Sequence, residues 1–324
     1  MGEVTPVVSV VCPVHCEEAG LREFYERATA AMESIEPPVE HELIFVNDGS
    51  TDDSLSIMRK LCDEDSRTKV IDLSRNFGHQ LAITSGMDHA RGDAVVVIDS
   101  DLQDPPEVIA KMVDKWRDGF KVVYGVRSSR EGETGLKLLT AKVFYRLLRR
   151  LSDTQLPVDS GDFRLLDRQV VEVLKEIREE NRYVRGLVAW AGFSQTGVEY
   201  KRDPRYAGES KFTLSRMARF AADAITSFSE KPLRLATQLG LLITLGTVLL
   251  ATWIVVSHLV DPGSSFPGFA SLMVVMLFLG GVQLLSIGLL GEYVGRIYRE
   301  TKQRPLYVVA ERLNFEPPED EREA

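Results

Sequence analysis

Two carboxylates stand at the end of an apolar run, Val95-Val96-Val97-Ile98-Asp99-Ser100-Asp101, and Gln103 follows two positions on. In an extended segment residues i and i+2 point to the same side, so Asp99 and Asp101 can converge at one strand end. Two carboxylate oxygens, with further positions open to phosphate and water, are what Mg2+ or Mn2+ needs to bridge a diphosphate. A nucleotide diphosphate substrate is therefore the first expectation. An Asp-x-Asp pair is also a common solvated turn, so the reading depends on what positions it.

The first half of the chain alternates strand and helix signals. Strands are expected at Val7–Val11, Glu42–Val46, Lys69–Leu73, Ala94–Ile98 and Lys121–Tyr124. Helices are expected at Leu21–Ile35, Ser54–Asp65, His79–Ala90 and Pro106–Asp118, the last opening on proline. This order predicts an α/β fold, a Rossmann-like, mostly parallel sheet with helices on both faces. Ligands bind such sheets beyond the carboxyl ends of the strands. Pro13 to Glu17, Asn47 to Ser50 and Asp99 to Asp101 all fall at those ends. No Gly-x-Gly-x-x-Gly follows the first strand and no Gly-Lys-Ser/Thr loop is present, which disfavours nicotinamide, flavin and P-loop chemistry.

Composition narrows the class further. A net charge of −9 argues against nucleic acid as a partner. Cys12, Cys16 and Cys62 form no metal spacing and read as reduced thiols. No basic and apolar leader of signal-peptide type is visible at the N-terminus. The near-neutral mean hydropathy hides an asymmetry, because no Lys or Arg occurs from Leu235 to Gly295. Within that stretch Thr237–Val260 and Phe269–Leu290 each exceed the ~20 residues a helix needs to cross hydrocarbon. Asp261-Pro-Gly-Ser-Ser-Phe-Pro267 separates them as a polar turn. Lys231 and Arg234 precede the first span, and Arg296, Arg299, Lys302 and Arg304 follow the second. The positive-inside bias then puts both termini in the cytoplasm. Just before the spans, Ser210–Ser229 carries apolar residues at helical spacing with Lys211, Arg216 and Arg219 among them, as a helix lying at the membrane interface would. Gly280, Gly281, Gly288, Gly291 and Gly295 are frequent enough for close helix approach, Gly291-x-x-x-Gly295 has small-residue spacing, and a homo-oligomer is an expectation. The acidic segment after Asn314 is expected to be disordered.

Five motifs occur in order: Pro13-Val-His-Cys-Glu-Glu18, Val46-Asn-Asp-Gly-Ser-Thr-Asp52, Leu73-Ser-Arg-Asn-Phe-Gly78, Asp99-Ser-Asp-Leu-Gln-Asp-Pro-Pro-Glu107 and Ser160-Gly-Asp-Phe-Arg-Leu165. Together they resemble glycosyltransferase family 2, with its GT-A fold, and within it the polyisoprenyl-phosphate glycosyltransferase branch. The resemblance extends through Gly208-Glu-Ser-Lys211, the two spans and Gly291-Glu-Tyr-Val-Gly-Arg-Ile-Tyr298. It implies a catalytic domain over 1–205, a juxtamembrane segment over 206–232, a membrane hairpin over 233–295 and a cytoplasmic tail over 296–324.

It also implies roles. Asp99, Asp101 and Gln103 match the metal signature for Mg2+ or Mn2+, with Asp99 also meeting the sugar nucleotide and Asp101 also taking a catalytic role. Pro13, Glu17, Asp48 and Arg75 match positions around the nucleoside. Asp162 matches the position proposed as catalytic base. Arg127, Arg130, Arg205 and Lys211 are candidates for the phosphate of a lipid acceptor, since arginine grips phosphate with two parallel bonds and lysine acts as a point charge. One departure stands out: His15-Cys16 replaces the family's Tyr-Asn. The implied reaction is inverting transfer of a hexose to undecaprenyl phosphate at the cytoplasmic face of the plasma membrane, for modification of a cell-envelope glycan. UDP-glucose is the donor favoured by likeness; UDP-galactose, a UDP-N-acetylhexosamine, a modified arabinose and GDP-mannose stay open. Two spans are too few to translocate the product, so a separate flippase is an expected partner. A processive synthase would carry more spans and a Gln-x-x-Arg-Trp motif, which the chain lacks. A catalytically silent membrane scaffold is the reading from another class, and the intact Asp99, Asp101 and Gln103 argue against it.

Overall fold

The computed structural model describes residues 5–127, 160–180, 182–202, 231–260 and 268–315. Arg130, Arg205, Lys211, the expected interfacial helix and the turn at 261–267 lie outside the described residues. The chain divides into a globular unit and a helical unit.

The globular unit is built on one sheet. Its strands are β1 (Val7–Val14), β2 (Glu40–Asn47), β3 (Thr68–Leu73), β4 (Ala94–Val97), β5 (Val122–Arg127), β6 (Ser160–Asp167), β7 (Gln195–Tyr200) and β8 (Val309–Leu313). Among the described residues the order is β7-β5-β6-β4-β1-β2-β3-β8. β1 pairs in parallel with β2 and β4, β2 with β3, and β5 with β7, while β6 runs antiparallel between β4 and β5. The expected mostly parallel sheet is what forms.

Alternation along β1 shows why these residues make a buried central strand. Val8, Val10, Cys12 and Val14 pack to one side with Leu21, Phe24 and Ala28 of α1 (Leu21–Glu33), Met58 and Leu61 of α2 (Ser54–Glu64), and Ile109 and Met112 of α4 (Val108–Arg117). Val11 faces the other way, toward Ala82, Ile83 and Met87 of α3 (His79–His89), in a cluster shared with Val170 of α5 (Arg168–Glu176) and Leu187 of α6 (Val184–Ala191). A period of two on the strand thus serves two helical layers. Gly86 lets α3 come close, because a Cβ there would lie 2.2 Å from Val11 Cγ1.

Part of the expected tail returns to this unit. β8 pairs antiparallel with β3, and Ser74 N–H donates to the Val308 carbonyl at 2.9 Å. Asn314 Nδ2 donates to the carbonyls of Cys62 and Thr68, and the Tyr307 hydroxyl donates to Asp88 at 2.7 Å. Sequence pattern placed no strand here, because five residues reading Val-Ala-Glu-Arg-Leu carry no strong alternation of their own.

The helical unit contains α7 (Lys231–Val260) and α8 (Phe269–Thr301). At 1.5 Å per residue, 30 and 33 residues span roughly 45–50 Å. Among the described residues Phe278–Thr301 is long and apolar enough to cross a membrane, and Ala236–Leu250 is a shorter apolar stretch. Large apolar side chains on both helices are exposed, including Leu241, Trp253, Leu272, Phe278 and Leu284. Among the described residues, the five glycines expected to bring helices together have nothing within 4 Å of an added Cβ.

Candidate active site

The parallel register brings the ends of β1, β2 and β4 to one edge: Val14 lies opposite Asn47, and Val11 opposite Val97. Their following loops carry the motifs. Asp99 lies two residues past β4. β6 places Arg164 opposite Val97, and continuing that antiparallel register by two residues sets Asp162 against Asp99. The fourth-strand motif and the fifth motif therefore meet because β6 is antiparallel, a relation that spacing along the chain does not reveal.

The group between the two carboxylates is His79, which sequence reading did not single out. Its Nε2 lies 3.4 Å from Asp99 Oδ1 and 3.4 Å from Asp162 Oδ2. His79 opens α3 directly after Gly78, which holds φ at 101°. Burial alone would lower the imidazole pKa. The hydrogen bond to Asp162 and the charges of Asp99, Asp162 and Asp48 outweigh it and raise it to about 9. The ring is a cation at neutral pH. The signal available in sequence was its position, one residue after the Leu73–Gly78 motif at a helix start.

Asp162 is held from several sides. Gln80 Nε2 donates to Oδ2 at 3.2 Å, and Arg185 Nε is 3.1 Å from Oδ1. Gln80 Oε1 also accepts from Val184 N–H, tying α3 to the start of α6. Burial pushes the Asp162 carboxyl up, but the His79 hydrogen bond and the charges of Arg185, Arg164 and His79 prevail and hold it well below the usual carboxylate range. Asp162 is thus a firmly ionised anion and a weak proton acceptor. Arg185 had no sequence signal: it sits on a short helix outside the five motifs.

Asp99 behaves in the opposite way. Burial pushes its carboxyl up to about 6, against the pull of His79 and with the charges of Asp162, Asp104 and Asp101 adding to the rise. Its Oδ1 is buried and accepts no hydrogen bond. A buried carboxylate oxygen without a donor is unusual and suits a cation. Asp101 Oδ1 accepts from Gln103 N–H at 3.1 Å, and Leu102 between them has φ 58°. This tight turn fixes Asp101 against the Gln103 backbone, and the Asp101 charge is felt at Asp99. No group of three or more His, Cys, Asp or Glu gathers as a metal site among the described residues. A cation here would rest on Asp99, Asp101 and the Gln103 amide, with phosphate and water completing its shell.

The positions matched to the nucleoside by resemblance cluster at the same edge. The Pro13 carbonyl accepts from the Ser100 hydroxyl at 3.1 Å, joining the first motif to the fourth. Glu17 N–H donates to Ser54 Oγ at 3.1 Å. The buried Asp48 carboxylate accepts from Phe77 N–H at 2.7 Å and from Gly78 N–H at 3.0 Å, so it fixes the loop leading to His79. Arg75 is exposed on that loop and stacks over Phe77 at 4.1 Å. His15, standing where the family has tyrosine, places Nδ1 3.0 Å from the Asp48 carbonyl and so spans the first two loops. Cys16 takes φ 57°, with its N–H donating to Ser50 Oγ.

Arg127 ends β5. Its Nε donates to the Tyr200 hydroxyl at 3.4 Å, and its guanidinium lies 3.8 Å from Asp104. The structure thus brings Pro13, Glu17, Asp48, Asp99, Asp101, Gln103, Asp162 and Arg127 to one edge of the sheet. Asp104, Tyr200 and Arg202 join Arg127 without having been picked out from sequence.

Comparison with known proteins identifies the family. Residues 9–175 match the family described as Glycosyl transferase family 2, and residues 231–297 match the GtrB C-terminal hairpin. The uncharacterized glycosyltransferase YkcC of Bacillus subtilis (strain 168) is 50% identical over 308 residues, covering 95% of this chain and 94% of its own. The bactoprenol glucosyl transferase of Shigella phage SfV is 43% identical over 302 residues, covering 93% of this chain and 97% of its own. Among solved structures, mannosyl-3-phosphoglycerate synthase from Rubrobacter xylanophilus is similar at 19% identity and TM-score 0.47, over 72% of this chain and 75% of that one. The chain belongs to glycosyltransferase family 2 and is a glycosyltransferase whose catalytic domain is followed by a GtrB-type C-terminal hairpin.

Proposed function

We propose that the enzyme transfers one hexose, glucose from UDP-glucose in the first instance, to a polyisoprenyl phosphate such as undecaprenyl phosphate at the cytoplasmic face of the membrane. The observation that carries this reading is the union, in one chain, of a family 2 domain with a GtrB-type hairpin, together with 43% identity over 302 residues to a relative named bactoprenol glucosyl transferase. The exposed apolar side chains of α7 and α8 support a two-span membrane hairpin, since a surface of that kind suits lipid rather than water. Both termini then lie in the cytoplasm and a separate flippase carries the product across.

In this reaction an oxygen of the acceptor phosphate attacks the anomeric carbon, the bond from that carbon to the nucleotide diphosphate breaks, and the configuration inverts. The acceptor needs little help to become nucleophilic, because a phosphate monoester has its second pKa near ~6 and is largely dianionic at neutral pH. Asp99, Asp101 and Gln103 would hold Mg2+ or Mn2+, which when bound would supply neutralisation of the charge that develops on the diphosphate. Asp162, ionised and fixed by His79, Gln80 and Arg185, orients the reacting groups rather than removing a proton.

Incubating the protein with labelled UDP-sugars or GDP-mannose, Mn2+ or Mg2+, and undecaprenyl phosphate should move label into a chloroform-soluble product, with UDP-glucose the best donor. Absence of lipid-soluble label with every donor would refute the assignment. A second expectation concerns the cation. Asp99 must be ionised to bind it, so Mn2+ affinity should fall by up to ~tenfold per pH unit as pH drops below about 6. Free Mn2+ measured by electron paramagnetic resonance between pH 7.5 and 5, values on either side of that point, checks this; an affinity flat across the range contradicts it.

A further inference from the structure

The loop from Ser74 to Gly78 joins β3 to α3 and carries Arg75, with His79 directly after it. Asp48 holds its far end through the Phe77 and Gly78 amides. Its near end is held by the C-terminal segment, where the Val308 carbonyl accepts from Ser74 N–H at 2.9 Å. The residue before Val308 reaches the helix that the loop feeds. The Tyr307 hydroxyl donates to Asp88 Oδ2 at 2.7 Å, in the last turn of α3. Two consecutive residues therefore grip the chain on either side of the loop.

The course of β8 explains how they come to lie there. Val70 faces Leu313 and Asp72 faces Glu311, but Leu73 faces Val309, so the register shifts just before the loop. Ala310 is the extra residue, and a bulge of this kind bends the strand and re-aims the residues beside it. Tyr307 is half-buried beside His89, with ring centroids 6.3 Å apart, and Arg178 meets Asp88 from another side at 2.6 Å. Phe77 of the loop packs against the same apolar cluster as Tyr307, Val309 and Phe315. At the opposite end of β8 the contacts are with the start of β3, where Asn314 Nδ2 donates to the carbonyls of Cys62 and Thr68. The C-terminal segment thus has one end at the loop and one end remote from it.

We propose that Tyr307 and Val308 are positioning residues for the sugar-nucleotide donor, setting both the loop that presents Arg75 and the helix start that presents His79. The inference rests on the reading above, in which this loop meets the donor nucleoside. A segment that only braced the sheet would act through stability alone, and its two ends would then be equivalent.

Wild type, Y307F, Y307A and N314A are compared as full chains in detergent. Amide hydrogen exchange across 74–78, measured without substrate, should quicken about threefold in Y307F and about tenfold in Y307A, since loss of a bond to a carboxylate frees the flank of the loop. The apparent KM for UDP-glucose should rise by similar factors, with that for undecaprenyl phosphate staying within about twofold. N314A should lower the unfolding temperature by a few degrees, yet leave the donor KM and the exchange across 74–78 within about twofold of wild type. Unchanged exchange across 74–78 in Y307A overturns the proposal, as does a donor KM that rises no more than the acceptor KM. So does N314A if it raises the donor KM as much as Y307F. Should Y307A fail to fold, Y307F decides by the same criteria. Absence of lipid label from the wild type would instead refute the proposed reaction, and the exchange comparison, which needs no substrate, still decides whether Tyr307 holds the loop.

Discussion

Asp101→Asn should lower kcat by about 10²–10³-fold at saturating Mn2+, the range seen when one stabilising group for developing charge is lost, and Asp162→Asn should cost less. The ordering follows from the two environments. Asp101 forms its turn with Gln103 and adds its charge at Asp99, where the proposed reaction would need the charge on the leaving diphosphate to be offset. Asp162 is surrounded by His79, Gln80 and Arg185; burial pushes its carboxyl up, but the His79 hydrogen bond and the charges of Arg185, Arg164 and His79 hold it far below the usual range. A carboxylate so stabilised takes up a proton reluctantly, and the dianionic acceptor has little need of one. Asparagine at 162 keeps the shape and an oxygen for Gln80 or Arg185. Turnover of both variants with undecaprenyl phosphate at saturating metal and donor decides the matter. A larger loss for Asp162→Asn would restore it to the role of proton acceptor.

Gly49→Ala should be the most damaging single methyl in the nucleotide loops. Gly49 holds φ at 64°, and an added Cβ would lie 2.5 Å from Asn76 N and 2.7 Å from Arg75 C. These are backbone atoms, so no side chain can swing away. The left-handed conformation costs roughly 1–2 kcal/mol for an L-residue, and forcing the 75–76 backbone aside adds about 1–3 kcal/mol. The displaced segment is the one Asp48 holds through Phe77 and Gly78, and His79 follows it. Thermal unfolding should therefore shift down by several degrees, with the donor KM raised at least about tenfold if loop and site move together. Gly78→Ala offers the contrast: φ is 101°, but nothing lies within 4 Å, so only backbone strain is added. Equal stability of Gly49→Ala and wild type would show that the loops are not in contact as described.

Much of this arrangement was legible in the sequence. The first five strands and four helices fall within a few residues of their expected bounds, because the central strands are buried on both faces and α1, α2 and α4 each have one apolar side. Motifs at strand ends also come together as a parallel sheet requires. What escaped was contact made by pairing rather than by pattern. Asp162 reaches Asp99 only through the antiparallel register of β6. Arg185 arrives on α6, and Arg202 lies just past β7, neither within a motif. His79 was adjacent to a recognised motif, but a histidine at a helix start does not announce which carboxylates will flank it. Asp48 shows the converse: a position matched to the nucleoside uses its carboxylate here to pin the loop at 77–78.

The pairing of β8 with β3 has a consequence for biosynthesis. Some 240 residues separate Val70 from its partner Leu313, and both long helices are made between them. Long-range strand pairing of this kind forms late, and domains begin to fold while the chain is still being made. As the ribosome works toward the C-terminus, β3 remains an open edge, with its Ser74 amide unpaired, until the last strand is released. An open edge of this sort is a template for foreign strands. The nascent enzyme thus completes its sheet only after both helices have been synthesised, and chains terminated before Val309 keep that edge exposed.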